Sequence, residues 1–183
     1  MGLGSNRGDA VAHCRRGCAA LAESAGVRGL ECSPFYRSQP WGEAAQPPFV
    51  NAVLRLSTSL EPLALLLRLW QVERREGRRR EVERRWGPRS LDLDLLFFGN
   101  RILSLPGLSV PHPRLHLRRF VLRPLADLSP GLIHPLFGKT VDSLLAAVDD
   151  LGWVEPLSSV PHWRSSPGDG VDCPQGGGDR RRD

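Results

Sequence analysis

The sequence predicts an α+β fold in which helices flank an antiparallel sheet. Three observations carry this. Segments of strand and helix pattern follow one another in the rough order βαββαββαα, with hairpins mixed among helices rather than strictly alternating βαβ units. The strands show period-two alternation while the helices show apolar stripes at three- and four-residue spacing. With 183 residues, 40% of them hydrophobic and 25% charged, the chain is sized for one domain with a substantial core.

Met1–Asn6 is a glycine-rich turn or short strand that feeds a helix at Asp9, with Val11, Cys14, Cys18, Leu21 and Ala22 along one side. Leu30–Tyr36 and Phe49–Thr58 are β-like, and the Pro- and Gly-containing stretch Ser38–Pro48 between them is long enough to be a functional loop. Glu61 and Pro62 open a second helix through Leu63, Leu66, Leu67 and Trp70, which Gly77 and an arginine-rich stretch stop. Leu91–Phe98 is expected as a strand, Gly99-Asn100 as a hairpin turn and Arg101–Leu103 as its return. Val110-Pro111-His112-Pro113 then links rigidly to a short helix over Phe120–Leu128, and a last helix starts near Thr140 and fades after Val148. From about Trp163 the composition turns to Ser, Gly, Pro, Asp and Arg without hydrophobic periodicity. We therefore expect a domain over residues 1–162 and a disordered tail over 163–183.

The formal charge of +5 is concentrated: between Arg74 and Arg89, eight arginines face three glutamates, and the remainder of the chain sums to neutrality. Such a run is a solvated face, an RNA-binding face or a phosphate clamp. The four cysteines form no CxxC pair and have no histidine at zinc-finger spacing, so neither a metal knuckle nor a disulfide framework is indicated. Cys14 and Cys18, four apart on a helix, are expected as small buried hydrophobes. No signal peptide and no apolar run of bilayer length is recognisable, which suggests a cytoplasmic protein without a membrane partner.

Leu91-Asp92-Leu93-Asp94-Leu95 is the most informative pentapeptide, because alternation puts both carboxylates on one strand face, about 6.6 Å apart along the backbone. Two acids so placed repel each other unless cations intervene, and hard oxygen ligands of this kind suit Mg²⁺ with phosphate oxygens completing its shell. Arginines nearby would bind those phosphates bidentately. Carboxylates and guanidinium groups together suffice for phosphoryl-type transfer, which relies on positioning and charge neutralisation rather than on a covalent nucleophile. His112, between two prolines, can aim an imidazole at a phosphate, and Asn51 beside Phe49 can read a heterocycle by hydrogen bonding and stacking. The GxxxxGK[ST], GxGxxG and GxSxG patterns are absent.

Four blocks in order resemble one family, the 6-hydroxymethyl-7,8-dihydropterin pyrophosphokinases. They are Leu3-Gly-Ser-Asn6 with Gly8-Asp9; Ser33-Pro-Phe-Tyr-Arg37 with Phe49-Val-Asn51; Arg85-Trp-Gly-Pro-Arg-Ser-Leu-Asp-Leu-Asp94 with Phe98-Gly99; and Val110-Pro-His-Pro113 with Arg118-Arg-Phe120 and Pro124-Leu125. The resemblance covers about residues 1–148. It implies a ferredoxin-like α+β sandwich and a Mg-dependent diphosphotransferase of folate biosynthesis, moving pyrophosphate from ATP to the pterin and releasing AMP. It also implies that Asp92 and Asp94 ligate two Mg²⁺ ions, with Arg78 and Arg89 beside them as catalytic residues. Glu73, Arg78, Arg80, Arg85, Arg89, His112 and Arg118 would bind ATP. Phe49, Asn51 and Phe120 would hold the pterin, with backbone from Ser38 to Gly42 completing the pocket, and Trp86 would ride on a closing loop. Small-molecule substrates and a monomer are the expected partners and state, with no nucleic acid.

Where the family has several more apolar residues, this chain begins at the glycine turn, so its first strand reads as truncated. Phe49 stands where the family often has tyrosine, and one additional residue within Gly77–Arg85 leaves open whether Arg79 or Arg80 meets phosphate.

Overall fold

The computed structural model describes residues 1–42, 45–84 and 87–158. Among them six strands form one antiparallel sheet, in which β5 (Asp92–Asp94), β1 (Gly2–Ser5), β4 (Phe49–Thr58), β3 (Tyr36–Ser38) and β8 (Val154–Pro156) lie side by side, and β2 (Val27–Cys32) pairs with the far half of β4. The ten residues of β4 organise the sheet: β1 runs along one side of it, while β3 and β2 divide the other. A small hairpin, β6 (Leu103–Leu105) with β7 (Leu108–Val110), stands apart.

Helices α1 (Ala10–Ala22) and α2 (Pro62–Arg75) cover one face. Asp9 caps α1 by accepting from the Ala12 amide at 3.0 Å, and Cys14, Gly17, Cys18 and Leu21 form its buried stripe at the spacing of one helix face. A Cβ on Gly17 would lie 2.9 Å from Leu91 Cδ2, so glycine is what lets α1 approach the segment leading into β5. Burial pushes the Cys14 thiol well above its ordinary pKa, which leaves it an unreactive hydrophobe. Pro62 at the start of α2 sets its first turn, and Leu65, Leu66, Leu69 and Val72 turn inward to meet Leu3, Leu91, Leu93 and Leu54. Each fully buried leucine here contributes about 1.5–3 kcal/mol of hydrophobic stabilisation.

On the opposite face, α3 (Arg119–Leu128) and α4 (Val141–Ala147) pack Leu122, Leu125, Val141 and Leu144 over Val53 and Leu96. Thr140 caps α4 by accepting from the Ser143 amide at 3.2 Å. These two helices cover only part of that face. The uncovered part lies over β5, β1 and the first half of β4, and there the cavity opens. No helix among the described residues is long and apolar enough to cross a membrane.

The α+β architecture agrees with the expectation, and α1, β4, α2, α3 and α4 begin and end within a residue or two of where the sequence puts them. Three segments differ. Leu30–Tyr36 is interrupted at Ser33–Phe35 and becomes two strands, because Pro34 cannot donate to a ladder and Phe35 turns into the core. Leu91–Phe98 pairs only over Asp92–Asp94, and no Gly99-Asn100 hairpin follows. Leu95 and Leu96 bury on opposite sides of the sheet, and Phe98 packs at the core's edge, so hydrophobic burial rather than strand pairing fixes this stretch. The return strand expected at Arg101–Leu103 is replaced by the separate β6–β7 hairpin, and β8 was not expected. The tail over 163–183 lies outside the described residues.

Candidate active site

Register builds the floor of the cavity. Gly4 of β1 sits between Asp92 of β5 and Asn51 of β4, and Gly2 pairs with Asp94 on one side and Val53 on the other. Cross-strand partners share a face, so both aspartates and Asn51 project from one side of the sheet with two glycines between them. A Cβ at position 4 would lie 3.1 Å from Asn51 Oδ1, so any larger side chain would intrude on the floor. The cavity above has a volume of about 560 Å³, the size of a small-molecule site.

Arginines from the stretch after α2 wall one end. Arg78 donates through Nη1 to Glu73 Oε1 (2.8 Å), to the Leu91 carbonyl (3.2 Å) and to Asp92. Arg89 donates to Asp92 Oδ2 at 2.6 Å. Arg80 holds Glu73 with both Nε and Nη2, each at 2.7 Å. The side chains of Arg78 and Arg89 are only 10% and 17% exposed, so these members of the charge run point into the protein rather than forming a solvated face. Arg80 lines the cavity and Arg79 does not.

Glu73 was expected beside ATP, but the structure puts it behind the arginines. It is 1% exposed, absent from the cavity lining, and accepts from Arg78, Arg80 and the Leu93 amide, the last at 2.7 Å. One carboxylate thus anchors two guanidinium groups and the middle of β5 together.

The two aspartates, one residue apart, sit in opposite electrostatic situations. Burial pushes the Asp92 carboxyl up, but Arg89 and Arg78 more than reverse this and hold it below the usual carboxylate range. Asp94 has no hydrogen bond or ion pair among the described residues; burial and then the neighbouring Asp92 push it up to about 6. An uncompensated carboxylate beside a compensated one is a donor set with room for a cation.

At the other end, Asn51 is buried and donates to Ser38 Oγ at 2.9 Å, while Phe49 and Phe120 line the walls. Arg118 is 8% exposed, its guanidinium lying 4.8 Å from the Trp41 ring centroid and 5.7 Å from that of Phe120. Its Nε has no hydrogen-bond partner among the described residues, and burial lowers its pKa. A buried guanidinium with unused donors is a site for an anion. His112 lines the same space. Burial, then Arg118 and Arg114, push its imidazole down to about 4, and its Nδ1 accepts from the Arg114 amide at 3.1 Å, so the neutral ring presents Nε2–H as a donor.

Of the residues expected at the site, Ser38, Phe49, Asn51, Arg78, Arg80, Arg89, Asp92, Asp94, His112, Arg118 and Phe120 line the cavity. Gly42 does not; its φ of 99° serves the turn of the loop instead. Arg85 and Trp86 lie outside the described residues. Reasoning from sequence expected the backbone of Ser38 to Gly42 at the pocket but missed the Trp41 side chain, along with Arg114 and the glycine floor, all of which line the cavity. A lone tryptophan in a loop of Pro, Gly and polar residues was the available signal for the first; for Gly2 and Gly4 it was their period-two spacing.

A cleft with guanidinium groups and carboxylates at one end and a buried amide between aromatic rings at the other suits a transferase. It can lay a polyphosphate against the first and a flat acceptor against the second. The family model described as 7,8-dihydro-6-hydroxymethylpterin-pyrophosphokinase matches residues 1–130. The chain is 46% identical over 147 residues to the 2-amino-4-hydroxy-6-hydroxymethyldihydropteridine pyrophosphokinase of Pseudomonas aeruginosa, covering 80% of this chain and 89% of that one. It is 42% identical over 149 residues to the Synechocystis enzyme of the same name, covering 81% and 75%. A solved structure of an HPPK-DHPS in complex with substrates superposes with a TM-score of 0.61 at 15% identity, over 80% of this chain and 42% of the larger one, and it supports the fold. The chain belongs to the 7,8-dihydro-6-hydroxymethylpterin-pyrophosphokinase family, and its reaction is pyrophosphoryl transfer from ATP to the hydroxymethyldihydropterin in folate biosynthesis.

Proposed function

We propose that transfer takes place across the floor formed by Asp92, Gly4 and Asn51, with the ATP polyphosphate at the arginine end and the pterin at the Asn51 end. The observation that carries this reading is the alignment of both ends on one sheet face through the register of β5, β1 and β4. Asp94 and Asp92 are the residues that would hold Mg²⁺, two ions in the full reading, and the unpartnered Asp94 carboxylate is what fits such a cation. When bound, the metal supplies Lewis-acid polarisation and shields the negative charge of the triphosphate.

The remaining work falls to the protein's own side chains. Arg78, Arg80, Arg89 and Arg118, together with Arg85, orient the phosphates and neutralise charge as it spreads between attacking and leaving oxygens. His112 donates to a phosphate oxygen from Nε2. Asn51 reads the heterocycle edge, Ser38 fixes the Asn51 amide, and Phe49 and Phe120 pack on the ring faces. The acceptor hydroxymethyl oxygen attacks the β-phosphorus and gives up its proton to solvent, the bond from that phosphorus to the oxygen bridging it to the α-phosphorus breaks, and AMP leaves with that oxygen. The protein acts as a monomer on small molecules in this reading.

The direct test is to mix the protein with Mg-ATP and hydroxymethyldihydropterin and follow AMP by chromatography. AMP should form only with the pterin present, stop on chelation and resume with added Mg²⁺; turnover unaffected by chelation would reject the metal assignment. Asn51→Ala should raise KM for the pterin about thirtyfold, the loss of roughly 2 kcal/mol of buried hydrogen bonding, while KM for ATP stays within about twofold. Equal rises for the two substrates would count against the pocket.

A further inference from the structure

Helix α3 carries Arg118 as its N-cap residue and Phe120 in its first turn, yet the Arg118 side chain makes no capping hydrogen bond. The first amides of a helix have no intrahelical acceptor, and a short polar side chain at the N-cap ordinarily supplies one. Here the acceptor comes from 31 residues downstream: Asp150 Oδ2 accepts from the Arg119 amide at 2.9 Å. The Asp150 carbonyl also accepts from Arg119 Nε at 2.8 Å, and Oδ1 accepts from the Gly152 amide at 3.0 Å, which fixes the carboxylate in its own turn. A negative charge at this end of the helix is also favoured by the backbone dipole.

The same segment reaches the other wall of the cavity. The Trp153 carbonyl accepts from the Gln39 amide at 3.3 Å, Val154 of β8 pairs with Ser38 of β3, and the Leu157 amide donates to the Phe35 carbonyl at 2.8 Å. Residues 150–157 therefore fasten the loop that carries Ser38, Gln39 and Trp41 to the turn that carries Arg118 and Phe120. They lie beyond the residues matched by the family model.

We propose that Asp150 is a positioning residue for the transfer reaction: as a helix cap supplied from a distant segment, it holds the first turn of α3 so that Arg118 and Phe120 stay directed into the cavity. This rests on the assignment of Arg118 to the phosphates and Phe120 to the pterin made above. Arg119 adjoins both residues in the chain, so release of its amide lets both move together. Asp150 itself does not line the cavity.

The test compares Asp150→Ala and Asp150→Asn with Leu151→Ala, a change on the same segment at a side chain that is 92% exposed. Arg118→Ala and Phe120→Leu serve as references for the pocket. Loss of a cap corresponds to about a fivefold shift in the ordered population. Asp150→Ala should therefore raise KM for ATP and for the pterin about fivefold, with kcat changed by less than about twofold. Asp150→Asn keeps one acceptor oxygen and should raise both by about two- to threefold; Leu151→Ala should leave both unchanged. KM values for Asp150→Ala equal to those of the unsubstituted protein overturn the proposal even if its melting temperature falls. If that variant does not fold, unchanged KM values in Asp150→Asn do the same. If Arg118→Ala and Phe120→Leu raise KM while the Asp150 variants do not, only the role of Asp150 fails. If the two reference variants leave KM unchanged, the pocket assignment fails and the proposal falls with it.

Discussion

Asp94→Asn is expected to cut pyrophosphoryl transfer by about a thousandfold or more and, in the absence of divalent metal, to raise the melting temperature by several degrees. The two effects share one cause. Asp94 is held in a place that burial and Asp92 make unfavourable for a negative charge, and no described side chain pairs with it. Its carboxyl is raised from 3.8 to about 6, which bounds the cost of its ionisation in the free protein at roughly 1–3 kcal/mol. Asparagine keeps the shape and removes the charge. For a chain of this size each kcal/mol shifts the midpoint by about 2–4 °C. The sign follows from the direction of the shift: with the folded value above the unfolded one, the native state binds the extra proton between pH 3.8 and about 6. The stability gained by substitution is therefore full above that window and disappears below it. Thermal unfolding of the variant and the parent in chelator at pH 7.5 and pH 3.5 measures this; equal midpoints at the higher pH would show that Asp94 is compensated after all. Asp92→Asn should do the reverse to stability, because Arg78 and Arg89 hold Asp92 ionised and would lose their partner.

Glu73→Ala is expected to destabilise the protein by about 3–5 kcal/mol, the range found when one partner of a buried ion pair is removed. Three donors depend on this carboxylate. Arg78 and Arg80 would be left facing each other without it, and the Leu93 amide, central in β5, would lose its acceptor. Glu73→Gln keeps the size and one acceptor oxygen and should cost less, while still raising KM for ATP through the released arginines. Denaturant unfolding distinguishes this anchoring role from direct contact with ATP. A residue that only touched nucleotide would change KM on substitution to Gln or Ala and leave unfolding where it was. Such a result would restore Glu73 to the ATP contacts that the family resemblance implies and remove it from the scaffold.

These two acids illustrate how the sequence and the structure divide the information. Alternation across Asp92-Leu93-Asp94 is a local property of extended chain, and it alone placed both carboxylates on one face. The long, strongly patterned elements were legible for the same reason: α1 has its Asp9 cap, α2 has Pro62 in its first turn, both carry apolar stripes, and β4 is ten residues of β-rich sequence. The short ones were not. β8 has three residues and exists because the edge of β3 was open to pair with it, a fact with no local signature. Leu91–Phe98 read as one strand because its apolar run is continuous, whereas two separate cores draw Leu95 and Leu96 apart. Glu73 lies on the buried stripe of α2, where its spacing marks it as inward-facing, but nothing in the spacing says that Arg78 and Arg80 return to meet it.

By itself, then, the sequence determined the long elements, the shared face of the two aspartates, the clustering of positive charge between Arg74 and Arg89, and the family motifs that surround them. Only the tertiary structure decided that Asp92 is paired while Asp94 has no partner among the described residues, that Glu73 stands behind the clamp, and that a carboxylate from Asp150 completes α3. The reason is physical. Periodicity and capping act within a few residues, while the charge and acceptor environment of a side chain is set by groups brought beside it from elsewhere in the chain.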